Sequence, residues 1–192
     1  MSDPRAKLGV MNTEQLWELI EQARAAEPAR GFGEAEAVVE RAVALLAERA
    51  AGEIADAHRE LWGLLAASYR DSLWAAAYLL NGGCSDDGFD YFRGWLVTQG
   101  REVFEAAIAD PDSLAAVPAV QAAAADGMEL ECEDALGLAR RAYRSATGGD
   151  PEQPLPSVPY PEPDVPGWEF DFDDGEEMAR KLPRLSALVS GD

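Results

Sequence analysis

From Asn12 to Thr147 the apolar residues return every three or four positions, segment after segment, and no strand-like alternation of useful length interrupts them. A recurrence near 3.6 places side chains on one face of a helix, whereas a half-buried strand requires a recurrence of two. The chain is therefore expected to be all-α: an irregular multi-helix bundle followed by a Pro-rich acidic C-terminal extension. In "NTEQLWELIEQARAAEP", Asn12 and Gln15 have the spacing of a capping box, and Leu16, Leu19, Ile20 and Ala23 follow on one stripe as far as the stop at Pro28. "GEAEAVVERAVALLAERAAG" predicts a second helix with Val39, Ala42, Leu45 and Leu46 inward, punctuated by Gly52.

A third helix carries Ile54, His58, Leu61, Leu65 and Tyr69 on one stripe and breaks near Asp71-Ser72, where a fourth begins. The fourth places Trp74, Tyr78 and Asn81 on one face. Gly82 and Gly83 stand where a helix end needs positive φ. A fifth helix should run from about Ser85 to Thr98, and a sixth should present Phe104, Ala107 and Ile108. Asp110 followed by Pro111 marks a short helix. "MELECEDALGLARRAYRSATGG" reads as one long helix, acids early and arginines late, an order that suits the helix dipole.

After Gly148 the character changes. The stretch to Glu177 holds most of the prolines, and no basic residue lies between Arg144 and Arg180. Such composition is extended by default. Trp168, Phe170 and Phe172 alternate with acids there, as a strap lying aromatics-down would. The expected division is a flexible leader over 1–11, a helical domain over 12–148, a strap or linker over 149–175 and a short C-terminal helix over 176–192, broken at Pro183.

A net charge of −20 opposes binding to nucleic-acid phosphates or anionic lipid and favours basic partners. No apolar run is long enough to span a membrane, and the first residues lack the apolar core of a secretory signal. Cys84 and Cys132 form neither a disulfide framework nor a zinc motif. These points lead to an expected cytoplasmic protein with no cofactor and no metal. Phosphate-loop, dinucleotide, zinc-protease and nucleophile-elbow motifs are absent. His58, the one histidine, lies on an apolar stripe and is expected to pack in the core.

One stretch breaks the Ala, Leu and Glu pattern: "NGGCSDDGFDYFRGWL", residues 81–96. On a helix begun at Ser85, Asp86, Asp90 and Arg93 form a polar ridge beside an apolar stripe of Phe89, Phe92 and Leu96. Asp86 and Asp90 one turn apart repel by a few tenths of a kcal/mol. Arg93, the helix N-terminus or a cation can each offset that repulsion. Three aspartates in five residues fit neither a calcium-binding EF-hand loop nor a His-bearing transition-metal site. The stretch is read either as an N-cap with an Asp–Arg pair or as a site lined by Asn81, Cys84, Asp86, Asp87, Asp90, Tyr91 and Arg93.

Residues 73–115, "LWAAAYLLNGGCSDDGFDYFRGWLVTQGREVFEAAIADPDSLA", resemble the bacterial DUF4240 family. "LWELIEQA" near the start and "KLPRLSAL" near the end resemble that family's ends. The resemblance implies a small soluble bacterial protein with a motif at residues 81–96, and it names no reaction. Two readings of the motif follow. The leading one is a non-enzymatic binding protein that holds a protein or peptide partner, basic in character, on an Asp/aromatic surface; an inhibitor of a basic nucleic-acid-cutting enzyme is one case. The alternative is an enzyme in which two of the aspartates split acid and base roles, Arg93 orients an anion and Cys84 attacks from a helix N-terminus.

Overall fold

The capping box predicted at Asn12 is formed: the Gln15 N–H donates to Asn12 Oδ1 (3.0 Å) and the Asn12 N–H to Gln15 Oε1 (3.1 Å). It starts α1 (Thr13–Ala25), which buries Leu16, Trp17, Leu19, Ile20 and Ala23. The structure is a computed structural model and describes residues 10–25, 33–149, 155, 171–172 and 174–191. Within these residues the chain is all-α, as its periodicity requires, and has no strand.

Helix α2 (Glu34–Ala47) buries Val38, Val39, Ala42, Val43 and Leu46, while Leu45 is only half-buried. The break expected at Gly52 falls earlier. Glu53 Oε2 accepts from the Ala50 N–H, and α3 (Ala51–Ala67) runs through Gly52. Its buried face is Ile54, Ala57, Leu61, Leu64 and Leu65. His58 stands roughly 70° from the centre of that face by helical geometry. It is therefore half-buried at the rim and tilted against Trp62 with ring centroids 5.9 Å apart, not packed in the core as expected. Asp71 opens α4 (Asp71–Leu80), close to the predicted break.

Helix α5 (Asp86–Thr98) is the central element. It packs against α2, α3, α4, the 3-10 turn Glu133–Ala135 and α6 (Arg101–Ala109). Asp110 then caps a short helix as predicted, its carboxylate accepting from the Asp112 N–H (3.2 Å); the helix is a 3-10 segment, Pro111–Ala116. Next comes α7 (Pro118–Asp126), ended by Gly127 in the left-handed region. The long helix expected from Met128 is not formed. Residues 128–132 form no helix or strand, and α8 (Leu138–Thr147) starts only after the 3-10 turn. In this stretch Leu130 and Cys132 are buried and Glu129 exposed, a period of two that overrides helix propensity. The Cys132 N–H donates to the Tyr91 carbonyl (2.9 Å) and the Leu130 N–H to Asn81 Oδ1 (3.0 Å), tying the segment to α5 and to the end of α4.

Helices α9 (Gly175–Lys181) and α10 (Pro183–Ser190) meet at the predicted Pro183 break. Helix α10 docks on α4, α7 and the 3-10 segment after α6. Its own N-cap, Leu182, offers no side-chain acceptor. The buried Asp112 supplies one from across the chain, accepting from the backbone N–H groups of Arg184 (3.1 Å) and Leu185 (2.9 Å) and from Arg184 Nε (2.9 Å). A carboxylate here satisfies two of the helix's unpaired donors and faces the positive end of its dipole. The leader before residue 10 and most of the expected strap, including Trp168 and Phe170, lie outside the described residues.

Candidate functional site

The turn at residues 81–85 is built as its glycines demand. Gly82 (φ 67°) and Gly83 (φ 135°) occupy conformations that side chains disfavour, and the Gly83 N–H returns to the Tyr78 carbonyl (2.9 Å), closing α4. The Trp74 indole donates to the Cys84 carbonyl (3.0 Å) and stacks on Phe89 at 4.9 Å between centroids. Ser85 caps α5 by accepting from the Gly88 N–H (3.2 Å). Asp86 and Asp87 then lie exposed in the first turn, where the dipole favours them.

One turn on, the ridge goes inward. Arg93 is 1% exposed, and its guanidinium lies 4.8 Å from the Tyr69 ring centroid and 4.9 Å from that of Phe89. Nη1 donates to the Leu65 carbonyl in the last turn of α3, and Nη2 pairs with Asp90. A cation at a helix C-terminus, held between aromatic faces, fastens α5 to α3. Burial lowers the Arg93 pKa, partly offset by Asp90. Burial likewise raises that of Asp90 despite the ion pair. The two partners thus shift in the directions of burial rather than of pairing: desolvation outweighs attraction here. The guanidinium is committed to the interior and is not presented to an incoming anion.

The remaining residues point in three directions. Asn81 supports the 128–132 segment by accepting from the Leu130 N–H. The Cys84 thiol is half-buried, and burial, then Glu131 and Glu129, push its pKa up to about 12. It is a protonated thiol at neutral pH, the opposite of an activated nucleophile. Asp86 faces the Tyr69 side of α5, where burial raises the tyrosine's pKa, Arg93 opposes the rise and Asp86, Asp90 and Asp71 add to it. Asp87, one helical turn before Tyr91, acts on that residue. There Glu133, followed by partial burial, Asp87, Glu131 and Asp90, raises the Tyr91 pKa. The charged groups that raise it most are all carboxylates.

The structure thus joins Asp87, Asp90 and Tyr91 to Glu131 and Glu133, two residues that the expected long helix would have carried elsewhere. The alternation in "MELEC" is the sequence signal for that placement. Glu131 is half-buried; burial and Glu129 raise its pKa. Past Glu131 the acidic face turns into a trough of about 850 Å³ between the start of α2, Trp95 of α5 and Gln99 just after that helix, α7 and residues 127–131. None of the seven sequence-derived candidates lines it. Among the described residues, no group of three or more His, Cys, Asp or Glu side chains is placed to hold a metal ion. No helix among them is long and apolar enough to cross a membrane.

The fold is that of an all-α, multi-helix protein organised around one aromatic helix. The chain belongs to the DUF4240 family, proteins of unknown function, whose family model matches residues 11–145. The matched span runs from the start of α1 almost to the end of α8, so it includes the 81–96 stretch and "LWELIEQA" but not the C-terminal "KLPRLSAL". Neither a curated protein nor a solved structure matches the chain.

Proposed function

We propose that this protein is a non-enzymatic binding protein that engages a basic protein or peptide partner through the acidic face around Tyr91. The observation that carries the reading is the company of that phenol: Asp87, Asp90, Glu131 and Glu133 act on it together and are its strongest charged influences. A cluster of carboxylates around an amphipathic ring attracts Lys and Arg over distance and gives them a surface to pack on, although Asp90 already shares its charge with Arg93. An inhibitor of a basic enzyme is one protein class that such a face suits. The catalytic alternative draws no comparable support, because Cys84 holds its proton and Arg93 is occupied inside the protein.

The test compares what wild type and an Asp87→Asn/Glu133→Gln double variant retain from a native-host extract, with a thermal melt of each. Both residues are exposed, so the melts should coincide. A basic protein retained by wild type, released by salt and lost with the double variant is the expected result. Equal retention by the two proteins, or a retained partner that is not basic, would sink the reading. In the complex the Tyr91 hydroxyl should titrate at lower pH than in the free protein, because the partner's cations neutralise the carboxylates that now raise it.

A further inference from the structure

Of the nine residues of α7 only Val120 is buried. Ala119, Ala122, Ala123 and Asp126, spaced i, i+3, i+4 and i+7, form a stripe along one side of the trough. Larger side chains at those positions would fill the space. Alanine leaves it open and, as the best helix former, keeps the wall helical without them. Trp95 and Leu130, both buried, make the apolar lining, and Met128, 37% exposed, stands at its edge. The trough also carries Glu34, Glu36, Asp126, Glu129 and Glu131, and among the described residues no Lys, Arg or His lines it. The C-terminus of α7 adds the negative end of its dipole. This combination repels anions. Its carboxylates gain from cations and its alanine, Trp and Met surface gains from apolar side chains. An amphipathic basic helix offers both at the required spacing, apolar anchors on one stripe and Lys or Arg beside them.

We propose that the trough receives a basic amphipathic helix of the partner protein, laid along α7 with an apolar anchor against Trp95, Leu130 and Met128 and cations on the flanking glutamates. This rests on the basic-partner reading above and adds where the partner's apolar residues go. A buried Trp wall and an exposed, adaptable Met are the residue types that anchor such contacts. Glu129 and Glu131 belong both to the trough and to the surroundings of Cys84 and Tyr91, so the two surfaces are continuous.

The full chain, labelled with 13C at its methionine methyls, is titrated at low salt with a Lys/Leu amphipathic peptide, an oligolysine of equal charge and spermine. The Met128 methyl should shift with the Lys/Leu peptide, while that of Met178, which lines a separate cleft of about 390 Å³, stays still. Ala122→Lys should weaken the peptide about tenfold or more. Ala125→Lys, an equal charge change at an exposed α7 position outside the trough, should weaken it by less than about twofold. Peptide binding without a Met128 shift, or equal loss in the two Lys variants, overturns the trough proposal. Oligolysine binding as well as the peptide does the same and leaves the acidic-face reading standing. Spermine matching the peptide overturns it in favour of a small polyamine. Failure of all three probes to bind sinks the trough and the basic-partner reading together.

Discussion

Helices α5 and α7 treat their surroundings in opposite ways. Nine of the thirteen residues of α5 are buried, against one of nine in α7, so the first is a packed axle and the second a wall with one foot in the core. Between them runs the 128–132 segment, bonded to α5 through Cys132 and facing the trough through residues 128–131. The sequence feature that draws the eye, "NGGCSDDGFDYFRGWL", thereby spends most of its unusual residues on architecture. Its buried aromatics and Arg93 hold α5 in place, while the exposed Asp86 and Asp87 and the half-buried Asp90 and Tyr91 keep contact with solvent. The plain "PAVQAAAAD" of α7 borders the larger cavity. Chemical richness and accessibility have been separated onto different helices.

The sharpest way to break this contrast is Arg93→Ala. The change would leave half-buried Asp90 without its cation, remove a donor from the Leu65 carbonyl and open a gap between Tyr69 and Phe89. A loss of about 3–5 kcal/mol is expected, read as a shift in the denaturation midpoint. Arg93→Met, which refills the slot between the rings, should lose less. If Arg93→Ala melted like wild type, the axle description of α5 would be wrong.

Gly94→Ala comes next. A methyl group at Gly94 would lie 2.5 Å from the Cys132 carbonyl oxygen and 3.2 Å from Ala135 Cβ, so the backbone itself must move. A loss of about 1–3 kcal/mol is expected although alanine favours the helix. Because the clash is with residues 132 and 135, protection of the Cys132 amide from hydrogen exchange should fall before that of the α1 amides.

These two positions also show what a sequence reader can and cannot see. The local grammar was legible: the Asn12–Gln15 box, the Ser85 cap, the Gly82-Gly83 stop, the Asp110-Pro111 start and the Pro183 break all act within a few residues of themselves. Arg93 was legible as a partner of Asp90 three residues away, but its hold on Leu65 crosses 28 residues and depends on how α3 and α5 pack. Gly94 gives no sign in sequence that Cys132 will press against it. The stretch "MELECEDALG" carried two signals, acids suited to a helix start and a five-residue alternation, and the hydrogen bonds that Leu130 and Cys132 donate to Asn81 and Tyr91 decide against the helix. The trough was illegible for the same reason, because its walls come from residues near 34, 95, 122 and 130.

Glu131 stands where the two regions meet. Its pKa is raised above the ordinary 4.5, by burial first and Glu129 second, so the folded state favours its protonated form. That contribution is fully present below the ordinary value and is lost as pH rises through the raised one. At pH 7 the charged side chain is therefore a small liability, and Glu131→Gln should stabilise by less than about 1 kcal/mol after solvent screening. The gap between the melts of the variant and wild type should close as pH falls through the carboxylate range. A gap that widened on acidification would reverse the sign and put Glu131 in an attractive pairing.

The smallest expected effect is on the wall. Ala122 is exposed on α7 and lines the trough, so Ala122→Leu adds three carbons where there is room for them. Leucine is nearly as good a helix former as alanine, and the added surface contacts only the trough sides, so stability should change by less than about 0.5 kcal/mol. The same kind of enlargement at Gly94, by a single methyl, is expected to be several times more costly. Measured together by urea denaturation, the pair isolates packing from propensity, because both substitutions leave good helix formers in helical positions. If Ala122→Leu destabilised as much as Gly94→Ala, α7 would be packed against something along that stripe, and the trough would be a seam of the core rather than an open surface. If it were neutral while weakening a Lys/Leu peptide, the space that alanine keeps empty would be space a partner uses.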